Sequence, residues 1–125
     1  MPRYVVLEHT GAPNDPKGRH LDLLLEDGES CRTWRLDELP ELNGAAQDAT
    51  PLPPHRLIWL ERESAAVSGG RGWASRVVAG SYAGQLPTHE TATVNVTLSG
   101  MDALGLPKAI QLTIEGGACR FLRIP

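Results

Sequence analysis

Apolar and polar residues alternate at every second position in most of the segments between the glycines and prolines of this chain. The clearest case is residues 91–98, where Ala92, Val94, Val96 and Leu98 share one face and polar residues occupy the other. A period of two is that of a β-strand with one buried face, whereas a helix would repeat every 3.6 residues. The pattern therefore predicts an all-β protein.

The same reasoning predicts further strands and the turns that join them. Asp27-Gly28 and Gly116-Gly117 are turn signals between alternating segments. Residues 37–54 are expected to form a loop with at most a short helical turn at 39–42. Strands are predicted over residues 4–9, 19–26, 32–36, 56–62, 91–98, 109–115 and 119–124. Such strands bury one face each, so we expect a single domain over 1–125, a small antiparallel β-barrel of about six to eight strands with a loop or short helix between strands.

Composition narrows the classes of function. The chain has 125 residues, a formal net charge of −3 and only six aromatic residues. The charge argues against a general attraction to polyanions, and the few rings argue against stacking of single-stranded bases. Cys31 and Cys119 lie too far apart for a zinc clip and are expected to be buried thiols. No membrane span or signal core is recognisable, so a cytoplasmic location and no membrane partner are expected.

The segment 19–26 contains the most distinctive chemistry. Alternation places Leu21, Leu23 and Leu25 toward the core and His20, Asp22, Leu24 and Glu26 on the opposite face. An imidazole and a carboxylate two positions apart can bind one divalent metal ion, and His9 at the end of the first strand offers a third ligand. The alternative is a surface ion pair between His20 and Asp22, which is common on strands.

These residues also resemble a known family. The run Tyr4-Val-Val-Leu-Glu-His9, the strand His20-Leu-Asp22-Leu-Leu-Leu-Glu26 with its Asp-Gly turn, and Trp34 are similar to the opening of the 3′-phosphoesterase domain of bacterial ligase D. Later segments resemble the same family: Arg56-Leu57-Ile58, the Gly80-Ser-Tyr82-Ala-Gly84 segment and the terminal Arg120-Phe-Leu-Arg123. The resembling segments are spread over most of the chain, and the most specific of them lie in its first third.

The resemblance implies a β-barrel in which His9, His20 and Asp22 bind a divalent metal such as manganese or zinc. It further implies hydrolysis of a 3′ phosphate, or removal of a terminal ribonucleotide, at nucleic acid ends in DNA repair. Tyr82 matches a family position near the site and is included among the candidate catalytic residues; its alternative role is packing of a glycine turn.

The chain departs from the family pattern at three places. Leu24 stands where the family has an arginine that holds the phosphate, no histidine occurs near Glu63-Ser64, and residues 10–18 form a longer connection between His9 and His20. Aliphatic side chains cannot replace a bidentate guanidinium. Candidate substitutes for phosphate or substrate binding are Arg19, Arg76, His55 and His89, with Arg32, Arg35, Arg62 and Arg71 ranked below them.

Three functions remain open from the sequence. The leading hypothesis is a diverged metal-dependent phosphoesterase whose partner is a nucleic acid 3′ end. The second is a non-catalytic binding module on the same fold, which has lost the phosphate-holding residues. The third is a metal-dependent hydrolase for a smaller phosphoester.

Overall fold

The computed structural model describes all 125 residues, and ten strands joined in one antiparallel sheet account for most of its regular structure. The all-β prediction is therefore confirmed. Two 3₁₀ helices, Leu57–Leu60 and Met101–Leu104, complete the fold, and neither has the length or apolar character to span a membrane. The strands are β1 Arg3–Thr10, β2 Arg19–Asp27, β3 Ser30–Leu36, β4 Gln47–Asp48, β5 Thr50–His55, β6 Ser64–Ala66, β7 Trp73–Ala83, β8 Val94–Ser99, β9 Ala109–Glu115 and β10 Ala118–Leu122.

The long strand β7 links the two halves of the sheet. The strand order is β4-β10-β9-β8-β7-β1-β2-β3-β5, with β6 paired to β7 beside this path. Both halves contribute alternate residues to one main core, which includes Val6, Leu23, Trp34, Leu98 and Leu112. Leu21, Leu23 and Leu25 all lie in this core, as their alternation predicts.

The sheet does not close into the predicted barrel, and it has more strands than expected. Its path ends at β4 and β5, which are consecutive in the chain and are joined by the buried Ala49 without pairing to each other. Strand β4 has two residues, and β5 contains Pro51, Pro53 and Pro54, which have no amide hydrogen to donate. These two strands therefore cannot form the hydrogen-bonded ladder that closure requires.

Three local predictions are corrected by the structure. Residues 56–62 form no strand; instead, Leu57–Leu60 is a 3₁₀ helix whose apolar residues cover a sheet face. The predicted loop 37–54 contains β4 and most of β5, and the expected helical turn at 39–42 is replaced by a single bridge between Leu42 and Phe121. The predicted strand 91–98 begins only at Val94, as β8, and the longest strand, β7 (Trp73–Ala83), lies where no strand was predicted.

A second apolar cluster lies on the sheet face opposite the main core. It contains Val5, Leu7, Leu24, Cys31, Leu60 and Ala74 and is covered by Leu57 and Trp59. Leu24 is completely buried there, opposite Val5 on β1 and Thr33 on β3. The position where the resembling family has an arginine is thus occupied by a leucine that packs in an apolar environment.

Candidate metal centre

His9, His20 and Asp22 converge at one end of the β1–β2 pair. Antiparallel pairing places His9 directly opposite His20, and Asp22 follows two residues later on the same face. Their ligand atoms all lie within 4.8 Å of one another. Asp22 Oδ1 is 3.1 Å from His20 Nε2, and Asp22 Oδ2 is 3.5 Å from His9 Nδ1. The structure thus brings together the three residues that the spacing singled out.

Each histidine is oriented by a hydrogen bond at its outer nitrogen. His9 Nε2 lies 2.7 Å from the carbonyl oxygen of Arg71, which can only accept a hydrogen bond. His20 Nδ1 lies 2.9 Å from the carboxylate of Asp15, in the loop between β1 and β2. Metal-binding histidines usually donate a hydrogen bond from the outer nitrogen to a carbonyl or carboxylate, because this bond fixes the tautomer and leaves the inner nitrogen unprotonated.

The Arg35 guanidinium also approaches His20, with Nη2 at 2.8 Å from Nδ1. Donation from Arg35 would require the hydrogen to sit on His20 Nε2, where it would face Asp22 Oδ1. That bond is not formed, since Asp22 Oδ1 has no hydrogen-bond partner despite the 3.1 Å separation. The hydrogen bond from His20, aided by the positive charge of Arg35, holds the pKa of Asp15 below its ordinary value. Asp15 is then an ionised acceptor, which favours the Nδ1–H tautomer of His20.

The Asp22 carboxylate is the least satisfied polar group of the cluster. Its side chain is 4% exposed, yet it forms no hydrogen bond with either histidine. A buried carboxylate is strongly disfavoured unless a cation or hydrogen-bond donors compensate for its lost hydration. The two imidazole lone pairs that face it provide no such compensation. The arrangement has the donors of a cation site.

Two arginines flank the Leu7–Asp22 pair on the same sheet face. The paired residues Arg76, Leu7, Asp22 and Arg35 form one row across β7, β1, β2 and β3. A bulge in the pairing between Val6 and Leu7 leaves out Val77 and brings Arg76 opposite Leu7. Arg76 donates from Nη2 to the carbonyl oxygen of Leu60, while its buried Nε has no partner.

The other predicted site residues lie away from this cluster. Arg19 binds the Glu8 carboxylate at 2.7 Å, and Tyr82 is buried in the main core, where its hydroxyl donates to the carbonyl oxygen of Glu26. His55 Nδ1 contacts the carbonyl of Pro53 in β5, and His89 contacts Thr91 in an exposed turn. The structure therefore does not bring Arg19, Tyr82, His55 or His89 to the three ligands.

Of the three residues that orient the cluster, sequence reasoning did not name Asp15, and it named Arg35 and Arg71 only as lower-ranked phosphate candidates. Asp15 lies in a loop without periodicity, and Arg71 acts through its backbone carbonyl, which any residue could supply. Arg35 had a usable signal: a hairpin closed at Asp27-Gly28 places position 35 opposite Asp22, as the β2–β3 pairing has it. Turn position and strand register together therefore favour Arg35 over Arg19 as the candidate nearest to Asp22.

Comparison with known proteins adds no assignment to this geometry. No protein-family model matches the chain, and no curated protein sequence matches it. The resemblance to the ligase D phosphoesterase domain therefore depends on the residues named above.

Proposed function

We propose that this protein binds one divalent metal ion through His9, His20 and Asp22 and hydrolyses phosphoesters at nucleic acid 3′ ends. The observation that supports metal binding is the buried Asp22 carboxylate, which faces two histidine nitrogens and forms no hydrogen bond. A cation between the Asp22 carboxylate and the two histidine nitrogens would balance the carboxylate charge and accept both imidazole lone pairs.

The donor set fits manganese or zinc. Two imidazole nitrogens and one carboxylate oxygen are ordinary ligands of these ions, and three protein ligands leave a coordination position open for substrate or water. Ligand atoms at about 2.0–2.2 Å from one ion lie roughly 3.0–3.6 Å from one another. The separations of 3.1 Å from Asp22 Oδ1 to His20 and 3.5 Å from Asp22 Oδ2 to His9 agree with that range, and all ligand atoms lie within 4.8 Å of one another.

The proposed reaction is hydrolysis of a 3′-phosphomonoester. Water forms a new bond to phosphorus, the bond between phosphorus and the 3′ oxygen breaks, and that oxygen takes a proton to become a 3′-hydroxyl while phosphate leaves. A bound divalent ion supplies Lewis-acid chemistry to such a phosphoester. Asp15 and the Arg71 carbonyl keep the histidines oriented toward the ion. Removal of a terminal ribonucleotide would use the same ligands.

Arg35 and Arg76 are the best placed residues to hold the phosphate. They lie on either side of the Leu7–Asp22 pair, and the buried Arg76 Nε has a hydrogen to donate and no partner. Guanidinium groups bind phosphate oxygens with good geometry. These two residues would replace the arginine that is absent at Leu24.

A metal-binding module without hydrolytic activity is the second candidate. It is favoured by the burial of Leu24 in an apolar cluster and by the position of Arg35, which already lies 3.5 Å from the Asp15 carboxylate. Both features reduce the positive charge that is free to bind a phosphate.

Metal binding is tested first, by elemental analysis of protein dialysed against manganese or zinc. We expect one equivalent in the wild type and loss of uptake in His20→Ala and Asp22→Asn. His89→Ala is the matched control, because this exposed histidine contacts only its own turn. Absence of metal from the wild type, or equal uptake by all four proteins, would overturn the proposal.

Activity is tested with a DNA primer that ends in a 3′ phosphate and with one that ends in a ribonucleotide. Metal-dependent release by the wild type and its loss in Asp22→Asn would support the phosphoesterase. Metal uptake without release from either primer would favour the non-catalytic module.

A further inference from the structure

A groove of about 440 Å³ lies between β5, the Leu57–Leu60 helix and the turn that joins β6 to β7. It is separate from the three metal-ligand candidates and is lined by polar and apolar residues. Those with the clearest chemistry are Pro53, His55, Arg56, Trp59, Arg62 and Arg71.

The charge of the groove is positive, although the whole chain is acidic. Three arginines line it, and no aspartate or glutamate does. None of these three forms an ion pair with a carboxylate, whereas Arg3, Arg19, Arg32 and Arg35 all do. Guanidinium groups gathered without counter-charges are suited to an anion.

An aromatic surface accompanies these charges. Trp59 is half-buried in the groove wall, and the Arg62 guanidinium lies 5.9 Å from the centroid of its ring. A guanidinium over an indole keeps its in-plane hydrogens free to bind an anion. Pro53, Pro54 and Ile58 add apolar surface beside Trp59. The groove thus combines donors for an anion with a surface for a flat ring.

Arg71 connects the groove to the candidate metal centre. Its side chain folds back on Ser68, with Nε 2.7 Å from the carbonyl oxygen and Nη2 3.0 Å from Oγ. Its own carbonyl oxygen lies 2.7 Å from His9 Nε2. One short turn therefore borders both places.

We propose that this groove is a nucleotide-binding subsite, in which arginines bind a phosphate group and the Trp59 side contacts the attached base. The shared chemistry is a phosphate joined to a planar base, from a free mononucleotide or from one residue of a strand. The inference goes beyond the proposed function, because the groove residues require no metal to bind this ligand.

The test is a calorimetric and NMR titration of the full chain in chelator, with adenosine monophosphate, inorganic phosphate and adenosine as separate probes. We expect the monophosphate to bind more tightly than either part and to shift the Trp59 indole signal. Arg62→Gln with Arg71→Gln should weaken its binding at least about tenfold, since hydrogen bonds to charged groups are lost. Arg120→Gln is the matched control, as this exposed arginine contacts only the Gly44 carbonyl at 3.5 Å.

A short oligoadenylate in the same titration distinguishes a free mononucleotide from one residue of a nucleic acid strand as the natural ligand. Tighter binding of the oligoadenylate, weakened by the same double variant, indicates a strand residue; equal binding indicates a free nucleotide. Thermal unfolding of each variant verifies that it folds. Lack of binding by the monophosphate below about 10 mM, or equal weakening by Arg120→Gln, would overturn the inference. His20→Ala should keep the affinity for the monophosphate. Nucleotide binding in the groove is thereby tested independently of metal binding.

Discussion

His20 Nδ1 lies 2.9 Å from the Asp15 carboxylate, so a loop residue orients a histidine of β2. The two side chains are each 6% exposed, and the contact is therefore well shielded from solvent. The loop that contains Asp15 is the long connection between His9 and His20. An extension at this position is thereby part of the candidate centre.

Asp15→Asn is predicted to weaken metal binding about 10- to 100-fold, because a neutral amide holds the Nδ1–H of His20 less strongly than a carboxylate does. The affinity is measured by competition with a chromophoric chelator. Asp37→Asn is the control, since Asp37 pairs with the exposed Lys17 at 2.8 Å. Equal effects of the two variants would show that only overall charge matters.

Leu24→Arg is predicted to destabilise the protein rather than to restore a phosphate clamp. Leu24 is fully buried among Val5, Leu7 and Leu60, and a guanidinium placed there has no carboxylate of the cluster to pair with. Its free energy of unfolding should fall by about 3–5 kcal/mol, the cost of an uncompensated buried charge. Urea unfolding measures the change.

Leu24→Met supplies the comparison for this position, because it conserves side-chain volume and should cost less than about 1.5 kcal/mol. Equal stability of Leu24→Arg and Leu24→Met would mean that the arginine escapes the apolar cluster. A gain in phosphate release by such a stable variant would then identify the clamp as the missing element.

Gly72→Ala is predicted to disturb both folding and the orientation of His9. Gly72 has φ +94°, and a Cβ there would overlap the carbonyl oxygen of Thr10 and approach the carbonyl carbon of Gly11 to 2.7 Å. Its neighbour Arg71 supplies the carbonyl that faces His9. We expect a lower free energy of unfolding and weaker metal binding.

Gly70→Ala is the matched control for Gly72→Ala. Gly70 has φ +67° in the same turn, but an added Cβ would meet no atom within 4 Å. Gly70→Ala should lower the free energy of unfolding by about 1–2 kcal/mol, because alanine disfavours the left-handed conformation, and it should leave metal affinity unchanged. A Gly72→Ala protein as stable as this control would contradict the steric argument.

Stability is predicted to fall in alkaline solution. Burial raises the pKa of Cys31 to about 11 and that of Cys119 to about 12, and burial together with the charge of Asp102 raises that of Tyr4 to about 12. The unfolded chain releases these protons near 9.0 for cysteine and 10.0 for tyrosine. Because the folded state binds more protons above pH 9, the free energy of unfolding should decrease as pH rises from there toward 12.

Urea unfolding between pH 8 and 11 measures this decrease. Cys119→Ala removes one of the raised groups, so its stability should change less with pH even though its absolute stability is lower. An identical slope in the variant and the wild type would show that Cys119 does not contribute. Below about pH 8 all three groups are almost fully protonated in both states, and no dependence on them is expected.

Alternation was sufficient to predict β1 and β2, the two strands that carry the three metal-ligand candidates. In β2 it separates the core leucines from His20 and Asp22. The first strand of the C-terminal hairpin is found at Ala109–Glu115 as predicted, and the second at Ala118–Leu122 instead of 119–124. Local period and turn residues determine these elements, because each strand buries one face against a common core.

Features that depend on distant contacts could not be predicted in this way. The bulge at Val77 decides that Arg76 lies opposite Leu7, in the same row as Asp22, and it is visible only in the pairing of β7 with β1. The Leu57–Leu60 helix has an apolar run without period, which suits a strand equally well. Tyr82 was assigned to the site through resemblance, whereas its burial depends on the packing of β7 in the main core.

The two unpaired edge strands of the sheet determine how readily copies of this chain associate edge to edge. An unpaired edge strand is a template on which a second molecule can add its own strand, which begins aggregation. Here one edge offers only the two residues of β4, and the other carries three prolines in β5. Both edges are thereby poor templates, so a sheet that never closes can still resist strand exchange between molecules.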